Sequence, residues 1–325
     1  MNAPHPWFVS AGSADGAVSD VTAISGDAAM SVSLDPGTRE LRWAGLRVID
    51  LAANASVTFV TEGLEMCVLP LAGAVRVEVE GRRFDLRDRV NVFHGIADWS
   101  YLPIDAEVRL TTPAGPATVA LPSAPASKRF EPTMMVAESV PVELRGAGMA
   151  TRQLNNFMAP EVFDGAHRLM CVEVLTPDGN WSSYPPHRHD GIGECAVENE
   201  EIYYFRIGTS QGAKGTAGRG SGGPHIVPSA DGFGFHRTYT VDGDVDVNVP
   251  VRDGDAFLIP RGYHGPCVAA PGYPMYYLNV LAGPSGERTM GFCDDPAHHW
   301  IRASWEGVGT DARLPMTSAA GPVRR

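Results

Sequence analysis

Lysine is nearly absent from this 325-residue chain: Lys128 and Lys214 are the only two, and arginine supplies the rest of the cationic charge. Schiff-base chemistry therefore has little to work with. Charge is sparse at 20% of residues, and the balance is acidic, with a formal net charge of −12. Nucleic acid and anionic membrane surfaces reward clustered Lys and Arg, so neither is an expected partner. A small anionic substrate would need a local arginine to overcome that field. No stretch approaches the ~20 apolar residues of a membrane span. Met1-Asn2-Ala3-Pro4-His5 also lacks a basic segment running into an apolar one. The five cysteines (Cys67, Cys171, Cys195, Cys267, Cys293) are odd in number, scattered, and form no CxxC. They read as reduced, buried thiols of a cytoplasmic protein, not as a disulfide frame or a zinc knot.

Long Ala/Leu/Glu/Lys runs are missing too, whereas Gly (36) and Pro (26) are plentiful and apolar residues reach 44%. That combination favours many short strands joined by turns over a helical bundle. Residues 1–30 are rich in Ala, Gly, Ser and Asp and are expected to form a loosely ordered arm docked across the body. Val75-Arg76-Val77-Glu78-Val79-Glu80-Gly81 alternates apolar and charged residues and stops at glycine, the pattern of a half-exposed antiparallel strand. Closely spaced neighbours such as Ser56–Val60 and Ala106–Leu110 suggest a sandwich or small barrel over 31–125. A Pro/Ala/Ser-rich seam opens a linker with shared strands, 126–155. A second β half over 156–305 repeats the order of parts: a strand ending at glycine (Gly73, Gly208), then a charged turn before a later strand. Gln211–Gly223 is expected to be a mobile loop. The tail 306–325 is expected to be unstructured from Arg313.

Two stretches of the second half carry the chemistry. His187-Arg188-His189 puts two imidazoles on one side of a strand, because residues i and i+2 share a face. Glu201 opens the bulky run Ile202-Tyr203-Tyr204-Phe205 and should be buried, where a carboxylate wants a cation. Its neighbour Glu200 should face the other way. His264 follows a Pro-x-Gly turn at the end of an apolar strand. Together His187, His189, Glu201 and His264 form a candidate site for one divalent ion, zinc first, with iron, manganese or nickel as alternatives.

This arrangement resembles the cupin superfamily, whose motifs are HxH followed by Glu, and Gly, five residues, Pro-x-Gly, then His. Gly254 to Pro260, Gly262 and His264 match the second closely. The gap from His189 to Glu201 is longer than usual, and the first half lacks HxH, with His94 standing alone. The resemblance implies an all-β bicupin of two jelly-roll halves, the first without metal. A narrower likeness rests on Tyr184-Pro185-Pro186-His187-Arg188-His189-Asp190, Glu200-Glu201-Ile202-Tyr203-Tyr204, Arg237-Thr238-Tyr239-Thr240, Pro260–Pro266, Tyr276–Val280 and Asp294-Asp295-Pro296-x-His298-x-Trp300. In these the chain resembles the 5-deoxy-glucuronate isomerase family of myo-inositol catabolism. That family is related to the 5-keto-4-deoxyuronate isomerases of pectin breakdown.

The resemblance implies an aldose–ketose isomerase acting on a small anionic sugar acid, and a homo-oligomer is expected. The candidates for proton transfer are His236, Glu198 and Glu200. Arg237 is first choice to grip the substrate carboxylate with two bonds, with Arg261 and Arg288 as alternatives. Tyr203, Tyr239 and Tyr277 are placed to hydrogen-bond sugar hydroxyls. An iron cupin dioxygenase using the same four ligands is the rival class.

Overall fold

The computed structural model describes residues 5–12, 24–210 and 226–323. The expected loop Gln211–Gly223 and much of the 1–30 arm lie outside these residues. Within them the regular structure is nearly all antiparallel β-strand, with a few 3₁₀ turns.

The N-terminal sheet is built around the long strand Leu64–Val79, which first pairs with Ala117–Pro125 and Trp99–Leu102, then with Arg82–Arg89 and Glu107–Thr111. The alternation seen in the sequence sets the register, since Val75, Val77 and Val79 are buried on one face. Glu80 and Gly81 both take positive φ, as a two-residue hairpin turn requires. Val57, Phe59, Met66, Leu102, Val108, Leu110 and Val119 join these valines in a closed apolar cluster.

The C-terminal half is two sheets face to face. The larger runs in the order Phe8–Val9, Ala256–Ile259, Glu200–Thr209, Met275–Ala282, Met170–Thr176, Arg152–Asn155, Val142–Arg145. The smaller runs Asp246–Val251, Gly234–Tyr239, Tyr263–Ala269, His187–Arg188, Cys293–Asp294. Tyr203 and Phe257 of the first pack on His236 of the second. The arm contributes Phe8–Val9 to this half, paired with Phe257 and Ala256. Segment 126–155 divides: Thr133–Met135 joins the N-terminal sheet, and the strands from Val142 and Arg152 join the C-terminal one.

A second apolar cluster lies between the halves, with Leu46, Val48, Cys67 and Leu69 against Cys171, Ile202, Tyr204 and Val280. Strands Leu64–Val79 and Glu200–Thr209 are thus covered on both faces along part of their length. That is why Glu200-Glu201-Ile202-Tyr203-Tyr204-Phe205 does not alternate. Buried polar ties cross the same boundary. Arg89 meets Glu173 at 2.7 Å, and Glu65 accepts the backbone N–H groups of His167, Arg168 and Leu169.

Two expectations are corrected here. Cys195 and Cys293 are joined in a disulfide with their Cα atoms 5.8 Å apart, while Cys67, Cys171 and Cys267 are free and buried. The partners are 98 residues apart in sequence, so no local spacing signals the pair. A bridged pair departs from the all-thiol set expected of a reducing compartment. The tail is also ordered past Arg313. Arg313 pairs with Asp178 and Asp311, the Gln153 side chain accepts the N–H groups of Met316 and Thr317, and Thr317–Ser318 pairs with Gly321–Pro322. Its polar residues are spent on the body of the protein, not on solvent. Among the described residues no helix is long and apolar enough to cross a membrane.

Candidate metal centre

The site forms where the two C-terminal sheets meet. His187 lies directly across from His264 in the strand register. Asp190 ties the HxH segment to the turn before His264 by accepting the Gly262 N–H at 3.0 Å. Gly265 has φ 98°, and a Cβ there would lie 1.7 Å from the Ser183 carbonyl, so only glycine lets the two segments approach this closely. Glu201 arrives from the opposite sheet, on the same face as Tyr203 and Phe205.

His189, Glu201 and His264 bring one ligand atom each within 4.8 Å of one another, all buried. Glu201 Oε2 lies 3.2 Å from His189 Nε2 and 3.0 Å from His264 Nε2. His187 stands at the edge of this group, its ring centroid 4.5 Å from that of His264 and 6.3 Å from that of His189. Each imidazole turns Nδ1 to a backbone carbonyl: His187 to Pro185 at 3.1 Å, His189 to Asn199 at 2.8 Å, His264 to Gly262 at 3.4 Å. A carbonyl only accepts, so Nδ1 donates, and Nε2 is the nitrogen each ring turns to the cluster, able to ligate once it gives up any proton.

Burial pushes the Glu201 carboxyl up, but the close approach of the His189 and His264 imidazoles outweighs it and holds it well below the usual carboxylate range. Burial pulls His189 down, yet its bond to Glu201 wins and the pKa rises. His264 and His187 are both lowered, chiefly by burial. His264 Nε2 is buried and makes no hydrogen bond despite its nearness to Glu201. Imidazole nitrogens with one carboxylate oxygen are a donor set that fits a borderline divalent ion.

The other candidates are dispersed. Tyr203 and Tyr277 line the interior beside the cluster, with ring centroids 4.8 Å apart, and the Tyr203 hydroxyl is 3.0 Å from Ser183 Oγ. His236 is inside too, but its nitrogens face Thr238 Oγ1 (2.8 Å) and Cys267 Sγ (3.2 Å), and burial lowers its pKa to about 3. Glu200 points into the N-terminal half, where its carboxylate accepts the N–H groups of Arg42, Trp43 and Ala44. Glu198 is exposed in the loop that returns toward Asp190.

Arg237 and Tyr239 fall on the face of their strand opposite His236. There Arg237 pairs with Asp246 at 3.1 Å and the Tyr239 hydroxyl donates to Asp295. Arg261 pairs with Asp242 at 3.4 Å and lies over the Trp7 ring, and Arg288 donates to the carbonyls of Leu169 and Phe163. None of these arginines faces the cluster, because strand alternation or a nearer partner turns each one away. A residue passed over in the sequence is Asn279, whose register places it beside Tyr203 on the inner face with a buried, unpartnered Oδ1. The alternation of Tyr277 and Asn279 was the available signal.

A profile of the KduI/IolB family matches residues 19–301. A 5-deoxy-glucuronate isomerase of Geobacillus kaustophilus is 34% identical over 279 residues, 84% of this chain and 91% of the relative. One of Bacillus subtilis strain 168 is 33% identical over 266 residues, 81% of this chain and 89% of the relative. Among solved structures, an IolB-like protein from Salmonella typhimurium LT2 superposes with a TM-score of 0.73 at 28% identity, over 87% of this chain and 99% of that one. An oxalate decarboxylase variant of Bacillus subtilis shares the fold at a TM-score of 0.55 and 12% identity, over 86% and 80%.

Proposed function

Because this chain belongs to the KduI/IolB family, we propose that it is a metal-dependent aldose–ketose isomerase converting 5-deoxy-D-glucuronate to 5-dehydro-2-deoxy-D-gluconate. The names of its relatives favour this substrate over a 5-keto-4-deoxyuronate or a dioxygenase reaction. The observation that carries the reading is the convergence of His189, Glu201 and His264 with one imidazole nitrogen left unsatisfied. His187, half-buried at the edge, would complete the set around a zinc ion. When bound, that ion supplies Lewis acidity to the sugar carbonyl and its neighbouring hydroxyl oxygen.

The protein's own groups then do the positioning. Tyr203 and Tyr277 present hydroxyls to the interior, and Asn279 Oδ1 can accept from a sugar hydroxyl. The three base candidates are poorly placed: Glu200 is engaged by backbone amides, Glu198 is exposed, and His236 is bonded on both nitrogens with a pKa of about 3. This favours transfer of hydrogen with its electron pair from C2 directly to C1, while the C2 hydroxyl proton passes to the C1 oxygen.

Following ketose formation from 5-deoxy-glucuronate by the purified protein, with and without chelator, tests the assignment. Activity that survives complete metal removal contradicts it. Run in heavy water, direct transfer leaves no solvent deuterium at the product's new hydroxymethyl carbon (C1 of the substrate), whereas a protein base would introduce it.

A further inference from the structure

Among the described residues four arginines are buried: Arg47, Arg89, Arg152 and Arg188. Three have an acid in reach. Arg47 pairs with Asp35 at 2.8 Å, Arg89 with Glu173 at 2.7 Å, and Arg188 with Asp190 at 3.3 Å. Arg152 has none within ion-pair distance among the described residues; its guanidinium donates to the Ala150 carbonyl at 3.2 Å. Burial, helped by the nearby Arg145 and Arg302 cations, pulls its pKa down to about 10 against the opposing influence of Tyr277 and Tyr203. A cation withdrawn from water with no carboxylate in direct contact is costly, and Glu143 acts on it only at a distance, so such a group marks a place that an anion would fill.

The register shows where that place is. Gln153 pairs with Leu175 and Thr176 with Met275, and the cross-strand rows continue through Ile207 to the strand that carries Glu201. Partners in a row share a face, and so do residues two apart. Arg152 therefore lies on the inner face with Tyr277, Tyr203 and Glu201, whereas Gln153 and Asn155 turn to the other side to meet Thr317 and Glu173. The arginines favoured by sequence, Arg237 and Arg261, both point away from this interior and are paired with acids.

We propose that Arg152 receives the carboxylate of the sugar acid while the opposite end of the sugar lies at the His189–Glu201–His264 cluster. The inference takes the identity of the sugar from the isomerase reading, but the anion pocket itself rests on a buried, inward-facing guanidinium with no ion-pair partner among the described residues. A planar fork that can grip both carboxylate oxygens gives the site a reason to prefer the acid to a neutral aldose of the same shape.

The test compares holoenzyme turnover of 5-deoxy-glucuronate with that of the same aldose carrying a hydroxymethyl group in place of the carboxylate. It adds calorimetric binding of D-gluconate, which cannot isomerise. Wild type should prefer the acid by about 100-fold or more in kcat/KM. Arg152→Met should lose that preference, the fall in kcat/KM being far larger for the acid than for the neutral sugar, and abolish gluconate binding. Should Arg152→Met not fold, Arg152→Lys carries the test. It keeps the charge without the fork and should raise KM about 10-fold with kcat near wild type.

A folded Arg152→Met, or an Arg152→Lys, with unchanged preference and gluconate affinity overturns the pocket and leaves the isomerase standing. Wild type that binds gluconate through Arg152 but turns over neither sugar overturns the isomerase and keeps the pocket. Wild type that turns over 5-deoxy-glucuronate but fails to bind gluconate and shows no acid preference overturns the pocket alone.

Discussion

The two halves set central strands of similar pattern against opposite interiors. Glu65 and Gly73 on one central strand stand at the same spacing as Glu200 and Gly208 on the other. Each glutamate reaches across the boundary to a row of backbone N–H groups, Glu65 to 167–169 and Glu200 to 42–44. The next residue inward then differs: Met66 in one half, Glu201 in the other. On the strand before, the alternate inward positions are Val57 and Phe59 in one half and His187 and His189 in the other. Met66, Val57 and Phe59 merge into a closed apolar cluster. Glu201 and His189 join His264 in a polar one. A few inward side chains therefore separate an apolar interior in one half from a polar one in the other, while the outer glutamates tie the halves together.

Exchanging the inward residues should break the comparison most severely. Glu201→Met gives the C-terminal half the apolar choice of its partner, and it should lose bound metal and at least 1000-fold in turnover while remaining folded. Metal content and kcat measure this. The reverse change, Met66→Glu, puts a carboxylate among apolar side chains with no imidazole to meet it. It should cost on the order of 3–5 kcal/mol in denaturant unfolding.

The shared element gives a smaller, symmetric effect. Glu65→Ala and Glu200→Ala each leave a row of amides unsatisfied and should each cost on the order of 3 kcal/mol. Loss of stability from only one of them would break the proposed equivalence of the strands.

Acid should separate the halves more gently. Burial lowers His236 from 6.5 to about 3 in the folded protein. The unfolded chain therefore binds the extra proton first, so stability is complete above about 6.5 and is lost as pH falls toward 3. The apolar cluster of the N-terminal half contains no such group. Hydrogen exchange between pH 7 and 5 should show the C-terminal strands loosening first, and His236→Gln should flatten the trend.

How much of this was legible in the sequence follows the range of each signal. His187, His189 and Glu201 could be placed on inward faces because strand alternation is local, and the Pro260-Arg261-Gly262 turn announced His264. Arg152 could not be found, because it sits in a four-residue strand buried throughout, and its significance is the lack of an ion-pair partner, which only the folded chain reveals. Glu200 looked like a possible base until its partners appeared 156–158 residues away. Arg237 was misjudged for a simpler reason. It neighbours His236 in sequence, and on a strand that neighbourhood means the opposite face.

The most direct test is metal stoichiometry by elemental analysis of wild type, Glu201→Gln and His264→Ala, each purified under identical conditions and checked for native folding. The account predicts one divalent ion per chain in wild type and almost none in either variant. A wild-type protein that binds no ion when offered zinc, iron, manganese or nickel, or variants that keep the full complement, would contradict it.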